Sequence, residues 1–219
     1  MVAILGYWKI RGLAQQIRLL MEYVGEPYKE ELYECGPAPE YSRESWLSKK
    51  HKLDLAFPNL PYYIDGDFRL TQSDTILRYI AEKHNMGGKT PAERAQLSMI
   101  NGALNDLRMK FVHTCYSPGL AENKNNFLKD LPDALKMFQD HLSNREWISG
   151  EKIDYPDFNL YDLLDAIQSF EPGALKQFPK LQDFLRRFEE IPKIKAYMSS
   201  PRYMKWPFNN KMAQWGGDS

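Results

Sequence analysis

The sequence predicts a fold in two parts, an α/β part built on a four-stranded mixed sheet and a second part made only of helices. Two observations indicate this division. Short apolar runs alternate with amphipathic stretches as far as residue 85, the pattern of strands interleaved with helices. From residue 90 onward the apolar residues repeat every three to four positions, and no strand candidate occurs. A chain of 219 residues suits one or two domains, and we expect domains over 1–85 and 90–219.

The opening segment has the pattern of a strand, a helix and a second strand. Residues 2–8 form an apolar run, and the apolar residues at 13, 17, 20, 21 and 24 share one helix face that ends before Gly25. An extended pattern resumes over 28–33. Strands joined through a helix pair in parallel, so their carboxyl ends are expected at one edge of the sheet.

A hairpin and a further helix complete the predicted sheet. One glycine and two prolines indicate a loop over 35–42, and a short helix is expected near 43–50. The strands around LPYYI and FRL flank Asp65-Gly66, a dipeptide typical of tight hairpin turns. The segment QSDTILRYIAEKH, over 72–84, has the apolar spacing of a helix. Helices are therefore expected on both sides of the sheet.

Strong start signals mark two helices of the second part. The stretch TPAE at 90–93 combines a capping box with proline at the first helical position, and this helix is expected to reach about Tyr116. Asp154 is an N-cap with an acid three positions later. Further helices are expected over 126–142, 155–169, 178–190 and 192–198. The aromatic tail WPFNNKMAQWGGDS is expected to pack back on the protein.

Composition excludes several classes of partner and site. Twenty-nine basic and 29 acidic side chains cancel, so no overall field attracts nucleic acid or a membrane surface, and small molecules or another protein are the expected partners. The early apolar run Val2–Leu5 has the flanks of neither a signal peptide nor a membrane span. Only Cys35 and Cys115 occur, without a CxxC motif, which fits a reducing cytosol. The four histidines lack metal-ligand spacing, and no metal is expected.

Tyr7 stands at the carboxyl end of the first predicted strand, where open sheets collect their ligands. No cysteine pair follows it, so we expect this sheet to bind a thiol rather than supply one. Leu60-Pro61 opens a strand and would leave the preceding backbone free to pair with an extended peptide. Gln72 and Ser73 begin a helix, where unpaired N–H groups favour a carboxylate.

These residues carry a resemblance. The segments LGYWKIRGLAQQIRLLMEY, GPAPEYSRESWLSKK, FPNLPYYIDG, LTQS, ILRYIAEKH, CYSP and FPKLQDFLRRFEEIPKIKAYM together closely resemble the mu class of cytosolic glutathione transferases over almost the whole chain. The resemblance implies a thioredoxin-like N-terminal domain, an all-helical C-terminal domain and a homodimer. It also implies glutathione as co-substrate, whose thiolate attacks electrophilic apolar compounds.

The resemblance assigns roles by position within these motifs. It implies that Tyr7 is catalytic and donates its hydroxyl hydrogen to the thiolate. The residues implied in glutathione binding are Tyr7, Trp8, Leu13, Arg43, Trp46, Lys50, Asn59, Leu60, Gln72 and Ser73, with Asp106 of the partner subunit. Those implied in the electrophile pocket are Ile10, Leu13, Met109, Val112, Tyr116, Phe208 and Asn209. Phe57 matches an aromatic key that inserts into the partner subunit.

Two features depart from the family pattern. Asp54 and Ala56 stand where relatives commonly have glycine and an acid, although aspartate tolerates a left-handed backbone. Asp74, in the first turn of its helix, is expected to point away from the incoming carboxylate. Three functional classes remain open: a transferase acting in detoxification, a noncatalytic carrier of apolar ligands, and a structural module. The complete set on the thiol side favours the transferase.

Overall fold

The computed structural model describes residues 2–217. Its four strands are β1 (Ala3–Trp8), β2 (Tyr28–Tyr33), β3 (Tyr62–Asp65) and β4 (Phe68–Thr71). Its helices are α1 (Gln15–Val24), α2 (Glu44–Leu47), α3 (Ser73–Lys83), α4 (Pro91–Tyr116), α5 (Leu120–His141), α6 (Tyr155–Phe170), α7 (Pro179–Glu189) and α8 (Pro192–Met198), and a 3₁₀ turn over Gly12–Ala14 precedes α1.

The strands form one mixed sheet in the order β2-β1-β3-β4. β1 is parallel to β2, with Tyr7 opposite Leu32, and antiparallel to β3, which is antiparallel to β4. The predicted α/β part with a mixed four-stranded sheet is thereby confirmed. The parallel pair brings the end of β1 to the edge where a ligand was expected.

Neighbouring tyrosines of β3 show that helices cover both faces of the sheet. The Tyr63 ring contacts Tyr79 of α3, with 6.0 Å between ring centroids. The Tyr62 ring stacks on Trp46 of α2, also at 6.0 Å. Because successive strand residues point to opposite faces, α3 and α2 lie on opposite sides. α1 packs against α3 and therefore shares its side.

The hairpin turn lies one residue later than the sequence pattern suggested. Asp65 pairs with Phe68, so Gly66 and Asp67 are the two loop residues. Gly66 has a φ of 62°, whereas the φ of Asp67 is not positive. A positive φ at the first central residue alone is the pattern of a type II′ turn, for which glycine is preferred at that position.

The helical part follows its predicted start signals closely. Thr90 accepts a hydrogen bond from the Glu93 N–H and Glu93 caps in return, so the capping box of α4 is confirmed. Asp154 and Asp157 form the same reciprocal box at α6. The prediction for α5 was wrong at its start, which is residue 120 rather than 126. The helix begins after Gly119 in a left-handed conformation, without a side-chain cap that would mark it in the sequence.

The central helix of this part is α6, which contacts α4, α7, α1 and α3 and so joins the helical part to the sheet part. The C-terminal tail packs back as expected: the Trp215 ring lies 5.2 Å from that of Phe208 and 5.8 Å from that of Phe111 in α4. Within residues 2–217, none of the helices combines the length and the hydropathy needed to cross a bilayer.

Candidate active site

Tyr7 is held at the end of β1 with its hydroxyl prepared to donate. Its side chain is almost buried, and its phenolic oxygen accepts a hydrogen bond from the Leu13 N–H at 3.0 Å. A phenol has one hydrogen to donate and can accept at the same time. Because the backbone bond uses an acceptor site on the oxygen, the hydroxyl hydrogen stays available for a ligand.

Gly12 allows this close contact between Tyr7 and the following loop. It has a φ of 43°, and a Cβ atom placed there would lie only 2.6 Å from the Tyr7 hydroxyl oxygen. A side chain at position 12 would therefore displace the phenol as well as strain the backbone. The glycine of the KIRG sequence thus serves the position of the tyrosine.

The surroundings of Tyr7 keep its phenol protonated. Burial raises the pKa of Tyr7, while the Leu13 N–H and the charges of Arg18 and Arg108 act in the opposite direction without overcoming it. A phenol whose pKa lies above its ordinary value of about 10 is neutral throughout the physiological range. Tyr7 is consequently a hydrogen-bond donor and not a base.

A cavity of about 290 Å³ adjoins Tyr7 between the β1–α1 loop, α4 and the C-terminal tail. Every residue that the sequence analysis placed in an electrophile pocket lines it, namely Ile10, Leu13, Met109, Val112, Tyr116, Phe208 and Asn209. Met109 is 55% exposed and so stands at the rim. A small apolar compound would reach the tyrosine hydroxyl from this cavity.

Tyr116 is arranged in the same way as Tyr7. Its hydroxyl oxygen accepts a hydrogen bond from the Asn210 N–H of the tail at 2.8 Å. Burial raises the pKa of Tyr116 to about 12. The cavity therefore has two neutral phenols on its wall, each anchored by a backbone N–H.

The residues expected around the glycine end of the peptide lie along α2 and its flanks. Arg43 is exposed and directly precedes α2, while Lys50 is partly exposed just after it. Trp46 is buried, with its ring 5.3 Å from that of Tyr33 and stacked on Tyr62. Trp8 is half-buried, and its ring lies 6.5 Å from that of Tyr33. These residues share the face of the sheet that carries α2.

The structure gives Asn59 and Leu60 a local contact that the sequence pattern did not indicate. The Leu60 N–H donates to the Asn59 side-chain oxygen at 2.9 Å. A peptide pairing with this amide would have to replace the asparagine. The Leu60–Pro61 peptide bond is cis, and Asp54, earlier in the same loop, has the left-handed φ of 53° that its residue type allows.

Gln72 and Ser73 occupy the expected helix start. Gln72 precedes α3 with a φ of 73°, and Ser73 is its first residue. The Asp74 carboxylate accepts a hydrogen bond from the buried Asn101 of α4 and so faces the helical part. Asp106 is exposed on α4. A single chain thus presents Asp106 to solvent and not to its own sheet.

Sequence analysis missed a buried ionic cluster that forms the floor of the cavity. Asp162 of α6 receives Arg11 at 2.9 Å and Arg108 of α4 at 2.8 Å, and all three side chains are almost fully buried. Arg11 also reaches Asp165 at 2.7 Å. The sequence contained one sign of this cluster, because Arg108 and Asp162 lie among apolar residues on the buried faces of their helices. Charges at such positions require partners.

The histidine, cysteine and acidic side chains are the other candidates for metal ligands or nucleophiles. Within the described range 2–217, no three histidine, cysteine or acidic side chains are grouped so as to hold a metal ion. Cys35 and Cys115 are free and buried, and burial raises the pKa of the Cys115 thiol to about 12. A thiol with so high a pKa is a poor nucleophile at neutral pH.

Comparison with known proteins gives consistent matches. A family model described as the glutathione S-transferase N-terminal domain matches residues 3–82, and one described as the C-terminal domain matches residues 105–201. The class-mu 26 kDa isozyme 51 of Fasciola hepatica is 51% identical, covering 99% of this chain and 97% of that protein. Glutathione S-transferase Mu 1 of Bos taurus is 49% identical, covering 99% of both. The solved pi-class enzyme of Onchocerca volvulus superposes with a TM-score of 0.85 at 30% identity, covering 98% of this chain and all of the other.

Proposed function

Because the chain belongs to the mu class of the glutathione S-transferase family, we propose that its Tyr7 hydroxyl stabilises the thiolate of bound glutathione. The chain is a glutathione transferase, which joins glutathione to electrophilic substrates. One observation supports the role of Tyr7: its hydroxyl oxygen accepts the Leu13 N–H, so its hydrogen stays available for a ligand beside the 290 Å³ cavity. In the reaction the thiol releases its proton to solvent and the sulfur forms a bond to an electrophilic carbon. A leaving group then departs with its electron pair.

The peptide is proposed to lie along the sheet edge from α2 to the start of α3. Arg43, Trp46 and Lys50 would hold its glycine carboxylate, with Trp8 and Leu13 near the cysteine. Asn59 and Leu60 would meet the middle residue, after the Asn59 side chain leaves the Leu60 amide. Gln72, Ser73 and Asp106 of the partner subunit would hold the γ-glutamyl end. The helix start and two cationic groups suit a ligand with two carboxylates.

The electrophile is proposed to be a small hydrophobic compound in the cavity beside Tyr7. In this arrangement residues 1–85 bind glutathione and residues 90–219 contribute most of the electrophile pocket. The protein would act as a cytoplasmic detoxification enzyme, and its two buried free cysteines fit a reducing compartment. A carrier role for the same cavity makes a different prediction, because a carrier would bind such compounds without consuming glutathione.

The assay of this function compares two thiols. The protein is mixed with a chromogenic aryl halide and either glutathione or 2-mercaptoethanol at equal concentration. We expect a saturable, protein-dependent rate with glutathione and little acceleration with the simple thiol, because only the tripeptide can use the sites along the sheet edge. A glutathione rate equal to the protein-free rate, together with tight binding of the halide, would instead indicate the carrier.

A homodimer is proposed, with Phe57 as a contact between subunits. Phe57 has the most exposed ring among the described large apolar side chains, at 78%. Met99 of α4 and Met137 of α5 are also strongly exposed, at 68% and 62%, on two helices that pack side by side. An apolar side chain this exposed has most of its surface available for burial in an interface. In a two-fold symmetric dimer each of these side chains would contribute to the interface from both subunits.

Replacing Phe57 by serine is therefore expected to weaken the dimer. Burying one phenylalanine contributes about 1.5–3 kcal/mol, so two copies give a dissociation constant roughly a hundredfold larger or more. The matched control is Leu47→Ser, which removes a 45% exposed apolar side chain from α2. Sedimentation velocity over a dilution series measures the change. If Phe57→Ser and Leu47→Ser dissociate at the same concentration as the parent protein, Phe57 does not form the contact.

A further inference from the structure

Arg18 lies beneath the loop that positions Tyr7. Its side chain is fully buried in α1, and its Nη1 donates to the carbonyl oxygens of Ile10 at 3.0 Å and Arg11 at 3.4 Å. The same group donates to the Gln15 side chain at 3.2 Å. The loop held by these bonds leads directly to Leu13, whose N–H binds the Tyr7 hydroxyl. Arg18 thus anchors the backbone on which the tyrosine depends.

The other side of this loop is fixed by the C-terminal tail. The Arg11 N–H donates to the Pro207 carbonyl at 2.8 Å, and the Gly12 N–H donates to the Phe208 carbonyl at 3.0 Å. Two N–H groups of the loop are therefore bonded to the tail, while Arg18 binds two of its carbonyl groups. Of the two anchors, only Arg18 brings a full positive charge.

Arg18 shares its surroundings with Glu22, one turn further along α1, and with Tyr197 of α8, and it pairs with one acidic group. Its Nε contacts Glu30 of β2 at 2.5 Å, and the Glu30 side chain retains 21% of its exposure. The Nη2 of Arg18 is buried and has no hydrogen-bond partner among the described residues. Glu30 meets the Nε edge of the guanidinium, whereas Nη1 meets the loop. The positive charge is thus the one closer to the active site.

We propose that Arg18 is a positioning residue whose charge, balanced by Glu30, sets the pH at which bound glutathione ionises. The proposal rests on the role given above to Tyr7. A positive charge below the site favours the thiolate over the thiol, and the negative charge of Glu30 opposes this effect. Arg18 acts on the Tyr7 phenol in the same sense, lowering its pKa against the effect of burial.

Arg18 and Glu30 must then act with opposite signs, which separates an electrostatic role from a structural one. A structural ion pair predicts that removing either partner harms the site in the same way. The proposed role predicts that Arg18→Met raises the pKa of the bound thiol and that Glu30→Gln lowers it. Glutamine retains an oxygen that accepts the hydrogen bond from Nε, so this variant removes the charge and little else.

The experiment measures the pKa of glutathione bound at saturation, from the far-ultraviolet absorbance of the thiolate across a pH series. Arg18→Met is expected to raise it by about 1 pH unit, the effect of a unit charge over roughly 10 Å at an effective dielectric constant near 20. Glu30→Gln is expected to lower it by slightly less, about 0.8 unit, since that carboxylate lies a few ångströms farther from the site. Arg18→Lys, which keeps the charge, is expected to shift it by less than either.

The matched control is the ion pair of Asp183 with Arg186 in α7, whose side chains are both exposed. Asp183→Asn and Arg186→Met are expected to leave the thiol pKa unchanged. Shifts of the same sign for Arg18→Met and Glu30→Gln, or no shift, would overturn the proposal. Should Arg18→Met fail to fold, Glu30→Gln decides alone, because only a decrease supports the proposal. An unchanged thiol pKa in Tyr7→Phe would instead count against the role of Tyr7.

Discussion

Replacing Tyr7 by phenylalanine is expected to slow conjugation of an aryl halide by roughly 10- to 60-fold at about pH 6.5. An ordinary thiol has a pKa of about 8.5, so only about 1% of it is ionised at that pH. A hydrogen bond to a charged acceptor is worth roughly 1.5–3 kcal/mol, which corresponds to a pKa lowered by about 1–2 units. Phenylalanine keeps the ring and removes only this bond and the one from Leu13.

The loss is expected to shrink as the pH rises. In alkaline solution the thiol ionises without help, and the two proteins approach the same rate. The parent protein remains competent there because burial raises the pKa of Tyr7, so its phenol still donates when the thiol is fully ionised. A pH profile of kcat/KM for the aryl halide, recorded with both proteins at saturating glutathione, therefore measures the shift directly. A loss that stayed constant across the profile would indicate damage to the fold instead.

The control for Tyr7→Phe is Tyr63→Phe. Tyr63 is also a buried tyrosine of the sheet, and its hydroxyl binds Glu26 on the face covered by α3. This variant is expected to retain the parent pH profile, because its lost hydrogen bond lies away from the thiol. If Tyr7→Phe matches Tyr63→Phe at low pH, thiolate stabilisation by Tyr7 is excluded.

Elements with local signals were predictable from the sequence. Thr90 and Asp154 each form a capping box, a pattern contained within four residues, and α4 and α6 begin where these boxes predict. The start of α5 has no such box. Gly119 takes up a left-handed conformation there, and glycine is compatible with too many turns to mark a helix start by itself. Local chemistry therefore decided which boundaries were accurate.

In the candidate site, too, residues with a local sequence signal could be predicted and contacts between distant residues could not. Tyr7 could be proposed from its place at a strand end, and the cavity wall came from the resemblance. The cluster of Arg11, Arg108 and Asp162 could not be derived, because its members come from a loop and two helices far apart in sequence. No local rule pairs an arginine with an aspartate more than fifty residues away. The contact of Asn59 with the Leu60 amide was missed because a short polar side chain can bond to several nearby backbone groups.

The second large effect is expected when the charge of Asp162 is removed. Its two carboxylate oxygens bind Arg11 of the β1–α1 loop and Arg108 of α4, so this one group joins two walls of the cavity. Asp162→Asn keeps the size of the side chain but leaves Arg11 paired with Asp165 and Arg108 bonded to the neutral oxygens of Asn159. Breaking a buried ion pair on one side costs about 3–5 kcal/mol, chiefly because the remaining charge is left unpaired in the interior.

Urea unfolding at a fixed protein concentration is expected to show this loss for Asp162→Asn, with an unchanged m-value. The matched control is Asp140→Asn, which removes the same charge from the exposed pair of Asp140 with Lys136 at 2.5 Å and is expected to cost less than about 1 kcal/mol. Equal losses in the two variants would contradict a buried, uncompensated charge. The shorter distance belongs to the exposed pair, so the comparison tests whether burial rather than contact distance determines how much stability depends on an ion pair. In Asp162, the carboxylate on which stability depends is also the group that links the loop of Tyr7 to α4.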